Sequence, residues 1–472
     1  MTYKKGDTLE LTIEKTAYGG QGVARLEGFV VFVRNAVPGD RILARIYRKK
    51  KSYGEAALVE LLTPSPDRVE APCPHSGHCG GCQWQHLHYK AQLRYKRDQV
   101  VESLEHIGGV KEVPVREVIP SERVFGYRNK MEFSFSDRRW FPPHEREKAG
   151  TEEGDFVLGL HVPGTFHKVM DISACLLQPE KGNRILSQVK RLTRNSGLPA
   201  YGLKSHQGFW RFLMIRHSVA LDEWMVNLVT SEPSPRVLRP IVEELRTRLN
   251  PVKTVVNNIT RRKAAVAVGE EEVVFSGPGF IRDRIGPYTF QVSANSFFQT
   301  NPSAAHRLYL KAAEYAELKG TESVLDLYSG TGTIPIFLAN RVRTVAGLEI
   351  GEAAVADARR NCEENGVENC RFLCGDIRQT LGAVEERPDV TIIDPPRSGM
   401  HKDVLDQVLA LAPERIVYIS CNPATLARDL GRMVGGYEVL EVQPLDMFPH
   451  THHIETVARL RRRNKGPVPM NG

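Results

Sequence analysis

Four short segments concentrate groups that can do chemistry. Asp394-Pro395-Pro396-Arg397 carries a carboxylate, Ser420-Cys421-Asn422 a thiol, and His452-His453-Ile454-Glu455 a second carboxylate. The fourth runs from the apolar stretch Val324-Leu325-Asp326-Leu327 through Tyr328-Ser329 into a turn holding Gly330 and Gly332. Those glycines let the backbone pass close to a ligand with no Cβ in the way. Asp326, near the strand end, can influence the amino acid part of such a ligand. Glu349, about 20 residues on, suits ribose hydroxyls, and Asp376, in Cys374-Gly375-Asp376, is placed to reach an adenine. The turn lacks the full G-x-G-x-x-G spacing, which argues against a dinucleotide. Together these groups fit S-adenosylmethionine.

A second constellation lies earlier. Cys73, Cys79 and Cys82 fall within ten residues. Such crowding in a cytosolic protein points to a metal rather than to disulfides. Zinc and an iron–sulfur cluster both take thiolates. Cys175 is the best fourth donor, with His75, His78 and His86 as alternatives.

The elements that must hold these groups divide the chain into three. Residues 1–62 alternate short apolar pieces (Leu9-Leu11-Ile13, Phe29–Val33, Ile42–Ile46, Ala57–Leu61) with the turn signals Gly19-Gly20 and Pro38-Gly39-Asp40, as in a small oligonucleotide-binding β-barrel. Thr63–Arg68 reads as a linker. Residues 63–293 read as an α+β domain with a helix over about 89–106, strands at Met131–Ser136 and Phe212–Arg216, and an exposed loop from Pro142 to Asp155. From 294 to 472 strands and helices alternate. Strands are expected at Ser323–Leu327, Val345–Glu349, Arg371–Cys374, Val390–Ile393 and Ile416–Ser420, with two more at Tyr437–Val442 and Ile454–Leu460. That series predicts an α/β fold with a doubly wound, Rossmann-like sheet. Chemistry in such sheets sits at the carboxyl ends of the strands, which puts Asp394, Cys421 and Glu455 on one rim.

Composition agrees with an ordinary globular chain of 472 residues, 41% hydrophobic and 25% charged. No run of ~18 apolar residues and no signal peptide are seen, so a cytoplasmic, non-membrane protein is expected. A net charge of +8 permits a polyanionic partner. Basic runs occur at Arg48–Lys51 and from Arg459 to Lys465.

The segments Phe297-Phe-Gln-Thr-Asn301, Leu325–Gly330, Asp394–Gly399, Ser420-Cys-Asn422 and His453-Ile-Glu-Thr456 resemble, in order, those of the RNA uracil-C5 methyltransferases. The N-terminal barrel resembles a TRAM domain, and the cysteine set resembles the iron–sulfur site of the family's 23S ribosomal RNA branch. The resemblance implies Gln299, Tyr328, Glu349 and Asp394 around S-adenosylmethionine, Cys421 as nucleophile and Glu455 as base. It implies a [4Fe–4S] cluster on Cys73, Cys79, Cys82 and Cys175. It implies an RNA substrate, 23S rRNA before tRNA, and a monomer. Thr333 departs from members with Asn at that position.

The chemistry accounts for those residue types. A thiolate adding to C6 of uracil makes C5 electron-rich, and a base must later remove the C5 proton so that the thiol can leave. A stacked, paired base is inaccessible to both reagents, so the base must flip out. An amino-group methyltransferase would leave Cys421 without a task. A cytosine-C5 enzyme commonly has Pro-Cys on strand four, which is absent here. A non-catalytic RNA-binding or assembly protein has no use for the Cys421–Glu455 pair.

Overall fold

The computed structural model describes residues 3–142, 145, 155–248, 252–264, 266–384 and 386–463. The chain forms two compact units. One comprises Met1–Arg68, His88–Glu122 and Ser303–Gly472, the other Val69–Leu87 and Arg123–Pro302. The segmentation at 62 and 293 is thus drawn differently in space: the barrel and the helix after it belong with the C-terminal sheet.

Six strands make the barrel sheet: β1 (Thr8–Thr12), β2 (Lys15–Thr16), β3 (Gly22–Leu26), β4 (Phe29–Arg34), β5 (Arg41–Lys49) and β6 (Tyr53–Thr63), in the order β1-β5-β6-β4-β3-β2. Period-two alternation places Val31, Val33, Ile42, Ala44 and Ile46 in its core. The hairpin β2–β3 was not legible, because its first arm is only two residues long. The expected linker is pinned. Buried Asp40 accepts from Ser65 N (2.9 Å) and from Arg68 Nε and Nη2 (both 2.7 Å), and Asp67 accepts from Tyr95 Oη at 2.6 Å.

Tyr95 lies on α1 (Tyr89–Ser103), which runs into one π turn and stops at Gly109, whose φ is 63°. The buried face of α1 is polar at 92, 96 and 99, a spacing that puts the three side chains on one side. Each has a partner. Gln99 Nε2 donates to Thr16 Oγ1 (2.8 Å) in the barrel hairpin. Lys96 Nζ donates to Asp446 Oδ1 (2.6 Å) and to Phe448 O (3.2 Å). Gln92 Oε1 accepts from His450 N at 2.9 Å.

In the other unit β7 (Lys130–Ser136), β8 (Arg139–Trp140), β9 (Val157–His161), β10 (Val169–Asp171), β11 (Trp210–His217), β12 (Trp224–Thr230), β13 (Val252–Ile259) and β14 (Glu271–Ser276) form an eight-stranded sheet, with α2 (Glu180–Asn195) and α3 (Pro235–Arg248). A hairpin, β15 (Phe280–Ile285) with β16 (Tyr288–Ser293), follows. Most of the expected loop between Pro142 and Asp155 lies outside the described residues, as does Lys465.

After α4 (Pro302–Ala316), the last sheet contains β17 (Ser323–Leu327), β18 (Thr344–Glu349), β19 (Cys370–Cys374), β20 (Val390–Ile393), β21 (Arg415–Ser420), β22 (Tyr437–Leu445) and β23 (Glu455–Arg462). Their order is β19-β18-β17-β20-β21-β23-β22, parallel except that β23 runs antiparallel to both neighbours. Strand order reverses between β17 and β20, which opens a crevice at their carboxyl ends. Among the described residues no helix is long and apolar enough to cross a membrane.

Lys96 and Asp446 are both fully buried. Breaking such a pair leaves an uncompensated charge, at a cost of about 3–5 kcal/mol. Lys96→Met is therefore expected to lower Tm clearly, and Lys96→Met/Asp446→Leu to regain much of the loss. An unchanged Tm in the single variant would refute the role given to this pair.

Candidate active site

The crevice begins at the turn after β17. Tyr328 adopts φ 69°, and Gly330 and Gly332 follow at 54° and 78°. A Cβ on Gly332 would lie 2.9 Å from Ala358 Cβ, so only glycine brings the turn against the next helix. Glu349 fastens the turn: Oε2 accepts from Gly330 N at 3.0 Å and Oε1 from Gly351 N at 2.8 Å.

Tyr328, Glu349, Ile350, Asp376, Pro396 and Met400 are among the residues lining a crevice of about 680 Å³. Three of the predicted cofactor residues meet here. Asp376 caps the following turn through Arg378 N (3.0 Å), and its ion pair with Arg378 holds the carboxylate low, at about 2. Ile350 is 66% exposed, an apolar surface offered to a ligand ring. Asp326, at 0% exposure, has no hydrogen-bond partner for either carboxylate oxygen among the described residues. Burial and the nearby Asp394 and Glu349 push its pKa well up. A buried unpaired carboxylate is costly, and the ammonium group of an amino acid ligand would relieve it. The residues present thus fit S-adenosylmethionine. Gln299 lies in the other unit, where its carbonyl accepts from Asn129 Nδ2 at 3.0 Å.

The reactive rim is built by register. β21 and β23 pair Ile419 with Val457 and Ser420 with Thr456. Cys421 follows the last paired residue of β21, Glu455 precedes Thr456 on β23, and the two groups act on each other electrostatically. Thr456 Oγ1 donates to Ser420 O at 3.0 Å and locks that register. Asn422 Oδ1 caps α5 (Pro423–Met433) through Ala424 N (3.1 Å), while its Nδ2 donates to Arg397 O (3.1 Å). The Asp394–Arg397 turn is thereby tied to the strand end that carries Cys421.

Burial dominates the electrostatics. The Cys421 thiol is pushed up to about 11 by desolvation, then by Glu455, with Arg397 acting against both. Burial, with help from Asp394, raises Glu455 to about 8, while Arg397 and Lys96 pull it down. Burial raises Asp394 to about 7. His452 falls to about 4 through burial and the cations Lys96 and Arg397. A thiol, two carboxyls of raised pKa and one guanidinium share the rim. That set can add to an electron-poor double bond and then move a proton. Sequence reasoning gave no role to Arg397, although it lies in the Asp394–Gly399 segment, nor to Lys96 or Tyr18, which sit in no motif position that signals one.

Cys73, Cys79, Cys82 and Cys175 line one cavity of about 240 Å³ together with His75, Gln85 and Arg128. His78 and His86 are not among its lining residues. All four thiols are free. Gly81 N donates to Cys79 Sγ (3.4 Å) and Gln85 Nε2 to Cys82 Sγ (3.2 Å). Burial lifts Cys79 to about 11 and Cys82 to about 12. Among the described residues no group of three or more His, Cys, Asp or Glu is arranged to hold a metal ion. The four cysteines share the lining of the cavity.

Comparison with known proteins agrees with this geometry. The family model for tRNA (uracil-5-)-methyltransferases matches residues 220–463, and that for the TRAM domain matches residues 3–59. The chain is 43% identical to an uncharacterized RNA methyltransferase of Chlorobaculum tepidum, over 98% of this chain and 97% of the relative. It is 39% identical to one of Halalkalibacterium halodurans, over 98% of each. The crystal structure of Pyrococcus abyssi tRNA (uracil-54, C5)-methyltransferase in complex with S-adenosyl-L-homocysteine superposes with a TM-score of 0.74 at 32% identity, covering 96% of this chain and 100% of that one.

The thiol's environment sets a measurable reactivity. Iodoacetamide labelling of Cys421, followed by peptide mass spectrometry, is expected to be slow near pH 7 and to climb only towards about pH 10 and above. At about pH 9, where Glu455 is ionised, Glu455→Gln removes a charge that raises the thiol pKa and should speed labelling. Fast labelling at neutral pH would contradict the burial argument.

Proposed function

The chain belongs to the RNA uracil-C5 methyltransferase family, and on that premise we propose that it methylates C5 of a uridine in 23S ribosomal RNA through a covalent adduct on Cys421. The observation that supports this is the pairing of β21 with β23 up to Ser420–Thr456, with Cys421 following one strand and Glu455 opening the other, in a sheet whose crevice suits S-adenosylmethionine. When bound, S-adenosylmethionine supplies an electrophilic methyl group, and Tyr328, Glu349, Asp376 and Asp394 would hold it.

Cys421 adds as thiolate to C6, and the ring's electrons shift towards C5, which takes up the methyl group. Glu455 then removes the C5 proton, the C5–C6 double bond re-forms, and the thiolate leaves. Arg397 lowers the pKa of both groups and so favours the charged forms that the two steps require.

The choice of 23S rRNA rests on the resemblance of the barrel and the cysteine set to that branch. Transfer RNA is the second reading. It is favoured by the likeness to the Pyrococcus abyssi tRNA (uracil-54, C5)-methyltransferase, whose whole length is matched. Mass-spectrometric mapping of 5-methyluridine in both RNAs from a deletion strain separates them.

The cysteine cavity supports a [4Fe–4S] cluster held by Cys73, Cys79, Cys82 and Cys175, since four thiols around a void suit a polynuclear group better than a single zinc ion. Protein purified without oxygen is expected to be brown with about four irons per chain. One zinc and no sulfide would overturn the assignment, and a cluster fully retained in Cys175→Ser would remove the fourth ligand.

Cys421→Ala is expected to abolish methyl transfer while RNA binding survives, and activity above a few per cent would remove Cys421 as nucleophile. Glu455→Gln should accumulate a covalent adduct with ordinary uridine RNA, visible on a denaturing gel and dependent on S-adenosylmethionine. The C5 proton becomes an obstacle only after methylation, so loss of the base blocks thiol release. Normal turnover with no trapped adduct would discard Glu455 as the base.

A further inference from the structure

Tyr18 belongs to the N-terminal barrel, yet it stands at the catalytic rim. It occupies the tip of the β2–β3 hairpin, where Ala17 N donates to Gln21 O (2.8 Å) and Gly20 N to Ala17 O (3.0 Å). Gly19 and Gly20 follow it with φ of 104° and 84°, values that L side chains rarely adopt. The tip is held in place from below. Gln99 Nε2 donates to Thr16 Oγ1 and, at 3.3 Å, to Ala17 O, and Lys15 Nζ pairs with Glu102 at 2.8 Å.

From that tip the Tyr18 ring meets His452 edge-on, with centroids 5.5 Å apart and planes at 89°. His452 lies three residues before Glu455. Cys421, Arg397 and Glu455 all act electrostatically on the Tyr18 phenol. Even so, the residue remains 40% exposed. A large aromatic side chain is thus held against His452, near Cys421, and stays partly uncovered.

We propose that Tyr18 stacks on the flipped-out target uracil, so that the RNA-binding barrel supplies one wall of the catalytic pocket. The inference rests on the assignment of Cys421 as a uridine nucleophile. A base leaving the helix loses its stacking neighbours, and an aromatic face restores one of them whatever the base's hydrogen-bonding edge. A wall supplied by the barrel also makes the pocket complete only when the barrel is docked.

The test compares two stem-loop RNAs built on the site at which mapping finds 5-methyluridine, one with uridine at the target position and one abasic there. Binding to the full-length wild type, Tyr18→Ala and Tyr18→Phe is measured with S-adenosylhomocysteine present. Tyr18→Ala is expected to weaken the uridine RNA roughly five- to 150-fold, the range of one base–aromatic stack, and to leave the abasic RNA unchanged. Tyr18→Phe should stay within about threefold of wild type on both, because the ring is retained. Equal loss on both RNAs, no loss on either, or a Phe variant as weak as the Ala variant overturns the stacking role. A separate control uses wild type and 5-fluorouridine RNA with S-adenosylmethionine. A covalent adduct there, combined with any of those failures, overturns the Tyr18 proposal alone, whereas absence of the adduct overturns the function and this proposal together.

Discussion

Pairing of Ser420 with Thr456 is the contact on which the reactive rim depends. Parallel strands all end at the same edge, so their neighbours contribute only residues that follow a strand. β23 runs the other way and contributes the residue with which it begins. Its first residue, Glu455, therefore comes to the same sheet edge as the residue that follows β21, Cys421. A slip of one residue would turn every side chain of β23 to the opposite face, taking the carboxylate away from the thiol. Thr456 Oγ1 on Ser420 O and the dense burial of Val457, Ala458 and Leu460 oppose that slip.

The same placement buries ionisable groups that would be more stable in water. Asp326, Asp394 and Glu455 all have raised pKa values, the latter two at about 7 and about 8. An acid whose folded pKa exceeds its unfolded value favours folding when protonated, and this contribution fades as pH rises from the ordinary carboxylate range through the folded pKa. From about pH 4 to about pH 8 the site thus becomes progressively more costly to hold together. Ligands that bring positive charge or hydrogen-bond donors to these carboxyls offset the cost, which couples occupancy of the crevice to stability of the rim.

Much of this was legible in the residues. The last sheet was readable strand by strand, because largely apolar runs such as Val390–Ile393 alternate with helical stretches, and the polar residues after those runs had to lie on one edge. The four cysteines were recognisable as a set, and they line a common cavity. The hairpin β2–β3 escaped because two-residue strands carry no periodicity, and with it went the placement of Tyr18. The linker at 63–68 looked loose by composition, yet Asp40, far away in sequence, gathers Ser65 and Arg68. Helix α1 was visible as a helix but not as a partner of the C-terminal sheet. Its contacts with Asp446 and His450 span some 350 positions, and no local pattern encodes such pairings.

That helix explains how so distant a loop reaches the right point. The segment between β22 and β23 has to deliver Glu455 to its register position, and an apolar contact would tolerate sliding along the helix. Gln92, Lys96 and Gln99 do not, because a buried polar side chain moved off its partner is left unsatisfied. Two of them hold the loop at His450 and Asp446, and the third holds the barrel hairpin at Thr16. The hairpin bearing Tyr18 and the loop leading to Glu455 are thus indexed against one rigid element. A shift of α1 by one turn, about 5.4 Å, would unpair all three side chains at once. The polar face of the helix trades some burial energy for a single alignment of the barrel hairpin with β23, and that alignment is what the proposed pocket, walled by Tyr18, requires.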